Sequence, residues 1–279
     1  MDRKRKHLLR LGAGVAAGLG AVALTWTGLA ANAEEPAAGG DFETKIVGGE
    51  PAAEGQYPWL VGLGYAGDGT PFERQRCGGS VLTETVILTA AHCLEIFDSP
   101  DEMVVFSGSV DLESDDLVET AVADFHIAHD YNEPVDLAND WGLILLDEPI
   151  DAEPIDVGTE PEEFDVLETA GWGNLGDDTY PAVAQRVEVP FVSDDDCEAA
   201  YGDAFDAQTM LCAGDLENGG IDACDGDSGG PIMAEEDGEL ILVGIVSWGD
   251  GCGVAGSPGV YAEVADFNSA IDDVLDDWS

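Results

Sequence analysis

The chain has 279 residues, of which 59 are acidic and nine basic, so its formal net charge is −50. A charge of this size and sign repels nucleic acid and anionic membranes, and it excludes electrostatic binding to either. Disorder is the alternative for so acidic a chain, but 45% of the residues are hydrophobic and they recur in strand-like runs, which favours a folded protein.

The N-terminal segment begins with the basic stretch MDRKRKHLLR, continues with an apolar run over residues 11–31, and ends in the small residues ANA. This order predicts a signal peptide over residues 1–33, cleaved after Ala33. The apolar run is long enough to cross a bilayer, so an uncleaved membrane anchor is the alternative. Residues 34–45 are polar and carry Pro and Gly, which is typical of a short pro-segment. We therefore expect a secreted, extracellular protein with a folded body over residues 46–279.

The predicted body is even more acidic than the whole chain. Removing residues 1–45 removes six of the nine basic and five of the 59 acidic residues, which leaves three Arg, no Lys, 54 Asp and Glu, and a formal charge of −51. Such a body repels itself at low ionic strength, whereas molar salt shortens the screening length to roughly 3 Å. The composition predicts a halophilic protein, and we expect it to be a monomer.

Short runs rich in Val, Ile and Leu, bounded by Gly, Asp and Pro, recur along the body. Their even spacing predicts an all-β barrel or sandwich. The runs cover residues 80–90, 101–110, 141–150, 184–192, 239–249 and 259–265.

The C-terminus departs from the strand pattern. Its apolar residues follow the spacing i, i+3, i+4, i+7, i+8 and i+11, with acids between them, which predicts an amphipathic helix. These residues are Phe267, Ala270, Ile271, Val274, Leu275 and Trp278.

The six cysteines all follow the predicted signal peptide. An even count in an exported chain favours three disulfides over metal ligation, and six cysteines allow fifteen pairings that their spacing does not rank. The residues are Cys77, Cys93, Cys197, Cys212, Cys224 and Cys252.

Three short motifs carry residues that together could hydrolyse an amide. Such chemistry needs a serine nucleophile, a base to take its proton, a carboxylate to orient the base, and donors for the oxyanion. TAAHC supplies His92, NDWGLILL supplies Asp140, and GDSGGP supplies Ser228. Taken singly, these residues could be a packed histidine, a strand-end acid and a tight turn.

In the order His, Asp, Ser, the motifs resemble those of the chymotrypsin-like (trypsin-family) serine proteases. The resemblance covers residues 46–279 and is highly specific. Its landmarks are IVGGE (46–50), CGGSVL (77–82), LTAAHC (88–93), ND (139–140), GWG (171–173), MLCAG (210–214), DACDGDSGGP (222–231), VSWGDGC (246–252) and PGVY (258–261).

This resemblance implies a fold of two six-stranded Greek-key β-barrels, over about 46–155 and about 156–279, with the active site between them. The C-terminal helix would pack on the outside. The implied disulfides are Cys77–Cys93, Cys197–Cys212 and Cys224–Cys252, which would use every cysteine.

The resemblance also implies a role for each member of the site. Ser228 would attack the scissile carbonyl, and His92 would act as general base and then as general acid. Asp140 would orient His92, and Ser247 would support Asp140. The N–H groups of Gly226 and Ser228 would form the oxyanion hole, since glycine at 226 permits a conformation that a side chain resists.

For specificity, the resemblance places Asp222, six residues before Ser228, at the base of the primary pocket. A carboxylate in a closed pocket favours an Arg or Lys substrate residue. Trp248, Gly249 and Gly259 would line the pocket, and both glycines would keep it open. Position 223 is Ala, where trypsins often have a serine whose hydroxyl could help bind a lysine ammonium group. The lack of this hydroxyl favours Arg over Lys as the substrate residue. A chymotrypsin-like or elastase-like pocket remains the alternative.

Activation would follow cleavage between Lys45 and Ile46. The new ammonium group on Ile46 would fold inward and pair with Asp227, and this pairing would order the oxyanion loop. Lys45 suits the predicted pocket, so the sequence is consistent with a zymogen that activates itself.

Fewer features bear on cofactors and partners. We expect no cofactor; residues 110–131 could hold a structural calcium ion, but a solvated acidic loop is the stronger interpretation. His126 and His129 are read as surface residues. Expected partners are protein or peptide substrates with Arg or Lys, and protein inhibitors. The remaining alternative is a non-catalytic binding module on the protease fold.

Overall fold

The computed structural model describes residues 46–158 and 161–278. The predicted signal peptide (1–33) and pro-segment (34–45) lie outside the described residues. Among the helices that are described, none has the length and apolar character needed to cross a membrane.

The first part of the body forms a closed antiparallel barrel of six strands. Strand β1 (Glu50–Pro51) precedes this barrel in the chain but is not one of its strands. The barrel strands are β2 (Leu60–Tyr65), β3 (Gln75–Thr83), β4 (Val86–Thr89), β5 (Met103–Ser107), β6 (Val118–Ile127) and β7 (Gly142–Leu146). Their order is β2-β3-β4-β7-β6-β5, and pairing of β2 with β5 closes the barrel.

The second part of the body forms another six-stranded antiparallel barrel. Its strands are β8 (Val166–Gly171), β9 (Gln185–Val192), β10 (Met210–Ala213), β11 (Pro231–Glu236), β12 (Glu239–Trp248) and β13 (Gly259–Glu263). Their order is β9-β10-β13-β12-β11-β8, and pairing of β8 with β9 closes the barrel. Strand β1 pairs with β9, so the N-terminal end of the body adds to the second barrel.

Four α-helices accompany the barrels in the described chain. They are α1 (Pro71–Arg74), α2 (Ala91–Leu94), α3 (Asp194–Tyr201) and α4 (Asn268–Asp277). In α4, Ile271 is buried in the same apolar core as Phe267 and Trp141. The Trp141 and Phe267 rings stack with centroids 6.0 Å apart, which attaches the helix to the start of β7. The predicted all-β fold, with two six-stranded barrels and a C-terminal helix, is confirmed.

The start of β3 lies against a glycine-rich loop of the second barrel. Gly78 N–H donates to the carbonyl oxygen of Ser228 at 2.8 Å. A Cβ atom at Gly78 would lie 2.9 Å from Gly230 Cα, closer than packed atoms tolerate. Glycines on both sides therefore bring the two barrels into backbone contact beside Ser228.

Candidate active site

His92 and Asp140 meet between a short helix and a strand end. Strand β4 leads directly into α2, which carries His92, while Asp140 precedes β7. The His92 Nδ1 atom lies 2.7 Å from Asp140 Oδ2, and His92 N–H donates to Asp140 Oδ1 at 2.9 Å. Asp140 is fully buried, and Ser247 Oγ donates a third hydrogen bond to it. These donors compensate the buried carboxylate and fix the orientation of the imidazole.

Ser228 lies on the loop that faces this pair. Its carbonyl oxygen accepts from Gly78 and lies 3.5 Å from the Sγ atom of Cys93, the neighbour of His92. Within the described residues, Ser228 Oγ makes no hydrogen bond to the His92 ring. Catalytic hydrogen bonds are often long in unliganded enzymes and tighten when substrate binds.

Gly226 shapes the backbone before Ser228. Its φ of +100° is a value that residues with a side chain rarely adopt. Neither Gly226 N–H nor Ser228 N–H donates to a protein acceptor in the part of the chain that is described, so both are available to an oxyanion. Gln75 Nε2 holds this turn by donating to the Gly226 carbonyl oxygen at 3.0 Å.

Asp222 and Ser228 both line a cavity of about 230 Å³. The Asp222 side chain is 2% exposed, and its Oδ2 atom accepts from Gly253 N–H at 2.8 Å. Within the described residues, the other oxygen, Oδ1, has no hydrogen-bond partner. Burial raises the pKa of Asp222 to about 7. The cavity therefore presents an uncompensated acceptor, which is most favourable for a cation that also donates hydrogen bonds.

Some of the residues that line the cavity carry no side chain. Gly249 and Gly259 line it together with Trp248 and Ser247. A Cβ atom at Gly259 would lie 2.5 Å from Asp222 Oδ1, so any side chain there would cover the carboxylate.

Asp227 is buried more completely than Asp222 and is closed by the backbone. Its two oxygens accept from Gly173 N–H at 2.7 Å and Cys224 N–H at 3.0 Å. Burial raises its pKa to about 7, and no Lys or Arg side chain in the described residues pairs with it. By contrast, Asp225 is exposed, and its carbonyl oxygen accepts from Asn174 N–H at 2.8 Å.

Comparison with known proteins decides the family. A family model described as Trypsin matches residues 46–271. This chain belongs to the trypsin family of serine endopeptidases.

Several relatives of this family match over most of the chain. A trypsin-like protease of Streptomyces glaucescens is 37% identical over 256 residues, covering 90% of this chain and 89% of the relative. Trypsin zeta of Drosophila melanogaster is 36% identical over 245 residues, covering 83% of this chain and 86% of the relative. Coagulation factor XII of Cavia porcellus is 36% identical over 246 residues, covering 80% of this chain but only 39% of the relative.

The family's disulfide pattern is present in the described residues. The bonds join Cys77 to Cys93, Cys197 to Cys212 and Cys224 to Cys252, and no cysteine is free. Cys224 and Cys252 both line the Asp222 cavity, so this bond holds its opposite walls together.

The described chain offers little to a metal ion. Its one group of three closely spaced ligand residues is Cys77, His92 and Cys93, and both cysteines are in a disulfide. His129 is exposed, whereas His126 is half-buried, with its ring 5.7 Å from that of Trp141. Burial and the nearby His129 lower the pKa of His126.

Sequence reasoning did not single out Tyr261 as a member of this trypsin-family pocket. Its hydroxyl is buried, has no hydrogen-bond partner in the described part of the chain, and lies where a Cβ atom at Gly259 would be 3.1 Å away. Burial raises the pKa of Tyr261, so the hydroxyl stays neutral and can donate. The sequence spacing could have indicated that Tyr261 lies near the pocket, because residues two apart on a strand share a face, and Gly259 and Tyr261 both belong to β13.

Proposed function

We propose that this chain is a secreted endopeptidase that cleaves after Arg or Lys and is made as a zymogen. The observation that carries the proposal is the buried carboxylate of Asp222, which lines the cavity beside Ser228 and has one oxygen without a partner among the described residues. An Arg guanidinium offers several donors in a planar fork and suits such an acceptor best. Lysine fits less well because Ala223 supplies no hydroxyl.

In the proposed mechanism, Ser228 Oγ attacks the carbonyl carbon of the scissile bond while His92 Nε2 takes its proton. The carbonyl oxygen becomes an oxyanion, which accepts from Gly226 N–H and Ser228 N–H. His92 then protonates the leaving amine, the C–N bond breaks, and an acyl-enzyme remains. Water attacks this ester with His92 again as base, which releases the acid and restores Ser228.

Activation rests on the charge of Asp227. The body has no lysine, and its three arginines lie elsewhere, so the α-ammonium group released at Ile46 is the natural partner for this carboxylate. The backbone next to Ile46 already contacts the pocket wall, since Asp222 N–H donates to Val47 O at 3.3 Å. An ion pair at Asp227 would stabilise the Gly226–Ser228 turn, and cleavage after Lys45 would thus switch on the site.

Secretion and salt tolerance belong to the same proposal. The signal-like N-terminus and the three disulfides are typical of an exported protein, and the charge of the body favours a monomer in salty surroundings. Partners would be polypeptides with exposed Arg or Lys, including inhibitors that occupy the cleft, and not nucleic acid. The name of the Streptomyces relative, a trypsin-like protease, agrees with this specificity.

Labelling by a fluorophosphonate tests the enzyme and its activation together. We expect the form cleaved after Lys45 to be labelled irreversibly at Ser228, and the uncleaved form to react at least about tenfold more slowly, a difference of about 1.4 kcal/mol in the barrier. Ser228→Ala is the control for the site of labelling. Lys45→Gln should stop processing in a pure preparation, and normal processing of this variant would contradict self-activation. A cleaved form that does not react would instead favour the non-catalytic binding module.

A further inference from the structure

A second cavity, of about 290 Å³, opens on Gly226 and shares no lining residue with the Asp222 cavity. Its walls include Phe72, Arg76, Trp172 and Tyr180. Strand β3 runs along this wall, because Gly78 N–H contacts the Ser228 carbonyl and Gln75 Nε2 contacts the Gly226 carbonyl. Arg76 lies between these two contacts in the strand.

The position of this cavity indicates that it could bind the part of a substrate that follows the scissile bond. If the residue before the scissile bond occupies the Asp222 cavity, the chain after the bond must leave Ser228 on another side. The Gly226 cavity lies directly beside the proposed oxyanion hole and outside the Asp222 cavity. It is therefore placed to receive the first residues of the leaving group, and this step rests on the proposed function.

Arg76 differs from the other two arginines of the body in its partners. Arg74 pairs with Glu119, and Arg186 pairs with Glu50 and Glu168. Within the described residues, Arg76 is exposed and has no carboxylate within 4.0 Å, although the body has 54 acidic residues.

The guanidinium of Arg76 is oriented but not satisfied. Its Nη1 donates to the carbonyl oxygens of Glu73 at 3.0 Å and Gln75 at 2.5 Å, and it packs over the Tyr65 ring at 5.3 Å. In the described part of the chain, Nε and Nη2 meet no acceptor. The nearest acid in sequence, Glu73, is directed towards Thr70, because its Oε2 atom accepts from Thr70 N–H at 2.8 Å and from the Thr70 hydroxyl at 3.1 Å.

We propose that Arg76 selects substrates with an acidic residue at the first or second position after the scissile bond. A carboxylate there would accept from the unsatisfied nitrogens of a side chain that Tyr65 and two carbonyls already hold in place. The body carries 54 acidic residues, and its two other arginines are already paired with glutamates, so the preference would depend on Arg76.

The test compares quenched-fluorescent peptides that share Arg before the scissile bond and differ only in Glu, Gln or Lys at the two following positions. Enzyme concentrations are normalised by fluorophosphonate titration. The pair Glu and Gln is isosteric, so the ratio of their kcat/KM values reports charge. An exposed ion pair predicts a ratio of about two to five for the unmodified enzyme, and a smaller ratio in molar salt.

Three variants assign the effect to Arg76. Arg76→Gln should reduce the ratio to about one, whereas Arg76→Lys should retain most of it. Arg186→Gln is the matched control, since it removes the same charge elsewhere and should leave the ratio unchanged. If Arg76→Gln and Arg186→Gln reduced the ratio equally, the preference would come from the long-range electrostatic field of the protein and not from a subsite at Arg76. That result would overturn the proposal.

The failure of this subsite is distinguishable from failure of the proposed function. Cleavage after Arg at equal rates for Glu and Gln peptides would contradict the subsite alone. No cleavage after Arg by enzyme that fluorophosphonate labels would contradict the proposed specificity, and the subsite with it.

Discussion

Asp222 and Asp227 are two buried carboxyls, five residues apart, that differ in what is left open to a partner. Within the described residues, backbone N–H groups satisfy both oxygens of Asp227, whereas Asp222 keeps Oδ1 free inside a cavity. Burial raises the pKa of each to about 7. Under the proposed function, this desolvation would prepare Asp222 for a substrate cation and Asp227 for the α-ammonium group released at Ile46.

The raised pKa of Asp222 predicts proton release when a cation binds. In the empty cavity the carboxyl has a pKa of about 7, so it is mostly protonated at about pH 6 and ionised at about pH 9. A bound cation favours the carboxylate and lowers this pKa. Benzamidine should therefore release close to one proton at about pH 6 and almost none at about pH 9, with affinity falling as pH drops below 7.

Calorimetry in buffers of different ionisation enthalpy measures this release. The measurement is made in a His92→Ala background, so that the imidazole makes no contribution to the proton count. Binding enthalpy that does not depend on the buffer near pH 6 would mean that Asp222 is already ionised when the cavity is empty.

Motifs in the sequence predicted the candidate catalytic and pocket residues. Other residues of the site matter only through tertiary contacts, which no motif encodes. His92, Asp140, Ser228 and Asp222 could be selected because their neighbours in sequence are distinctive. Gln75 and Arg76 could not, since their relevance arises only where β3 of one barrel meets the Gly226 turn of the other.

The packing at the start of β7 accounts for two unusual residues that directly follow Asp140. Trp141 and Gly142 stand where the family usually has an aliphatic residue and alanine. Trp141 is 3% exposed and stacks on Phe267, so it links Asp140 to the C-terminal helix. Gly142 leaves room for Leu94 of α2, the helix that carries His92. The large Trp141 therefore contacts the C-terminal segment, and the small Gly142 leaves space for Leu94.

Gly142→Ala should destabilise the protein and misplace His92. The added Cβ would lie 2.5 Å from Leu94 Cδ1 and 2.8 Å from the His126 carbonyl oxygen. Overpacking of this kind costs about 1–3 kcal/mol in the free energy of unfolding, which urea titration would measure. Shortening the opposing side chain in the Leu94→Ala, Gly142→Ala double variant should recover part of this loss by a double-mutant cycle. Additive losses in the cycle would show that the two positions do not compete for space.

The predicted apolar runs account for β3, β4, β5, β7, β9, β12 and β13, whereas β1, β2, β6, β8, β10 and β11 lie outside them. The run over residues 80–90 was one segment in sequence but forms parts of β3 and β4, because the chain turns at Glu84 and Thr85. Strand β2 has no long apolar run, since Gly62 and Gly64 lie against Phe106. A Cβ atom at Gly62 would be 3.3 Å from the Phe106 ring.

At the scale of the whole molecule, charge repulsion is opposed by few ion pairs. The described residues contain Arg–carboxylate pairs at Arg74 and Arg186 alone, against 54 acidic residues in the body. These pairs are partly buried, with side-chain exposures of 7% for Arg74 and 25% for Arg186, but two paired cations do not offset the repulsion among 54 acidic residues. Screening by salt is therefore the main means of reducing it.

Thermal unfolding should depend strongly on salt. We expect the unfolding midpoint to rise between low and molar NaCl, by about 2–4 °C for each kcal/mol of repulsion that is relieved. Glycine betaine at equal osmolality is the control, because it is zwitterionic and does not screen charge. A midpoint that is the same at low and molar NaCl would remove the inference of a halophilic protein.

The central claim is that Asp222 makes the cavity beside Ser228 specific for a basic substrate residue, and one measurement tests it directly. Protein cleaved after Lys45 is assayed in molar salt with peptide amides that end in Arg, Lys or Phe, and kcat/KM is compared with that of Asp222→Asn. We expect the highest kcat/KM for Arg, a lower value for Lys and a far lower value for Phe. We also expect Asp222→Asn to cost about 2–5 kcal/mol of transition-state stabilisation for Arg, whereas Asp237→Asn, the same change on an exposed acid that does not line this cavity, should cost little. A preference for Phe, or an Arg activity that Asp222→Asn leaves unchanged, would contradict the account.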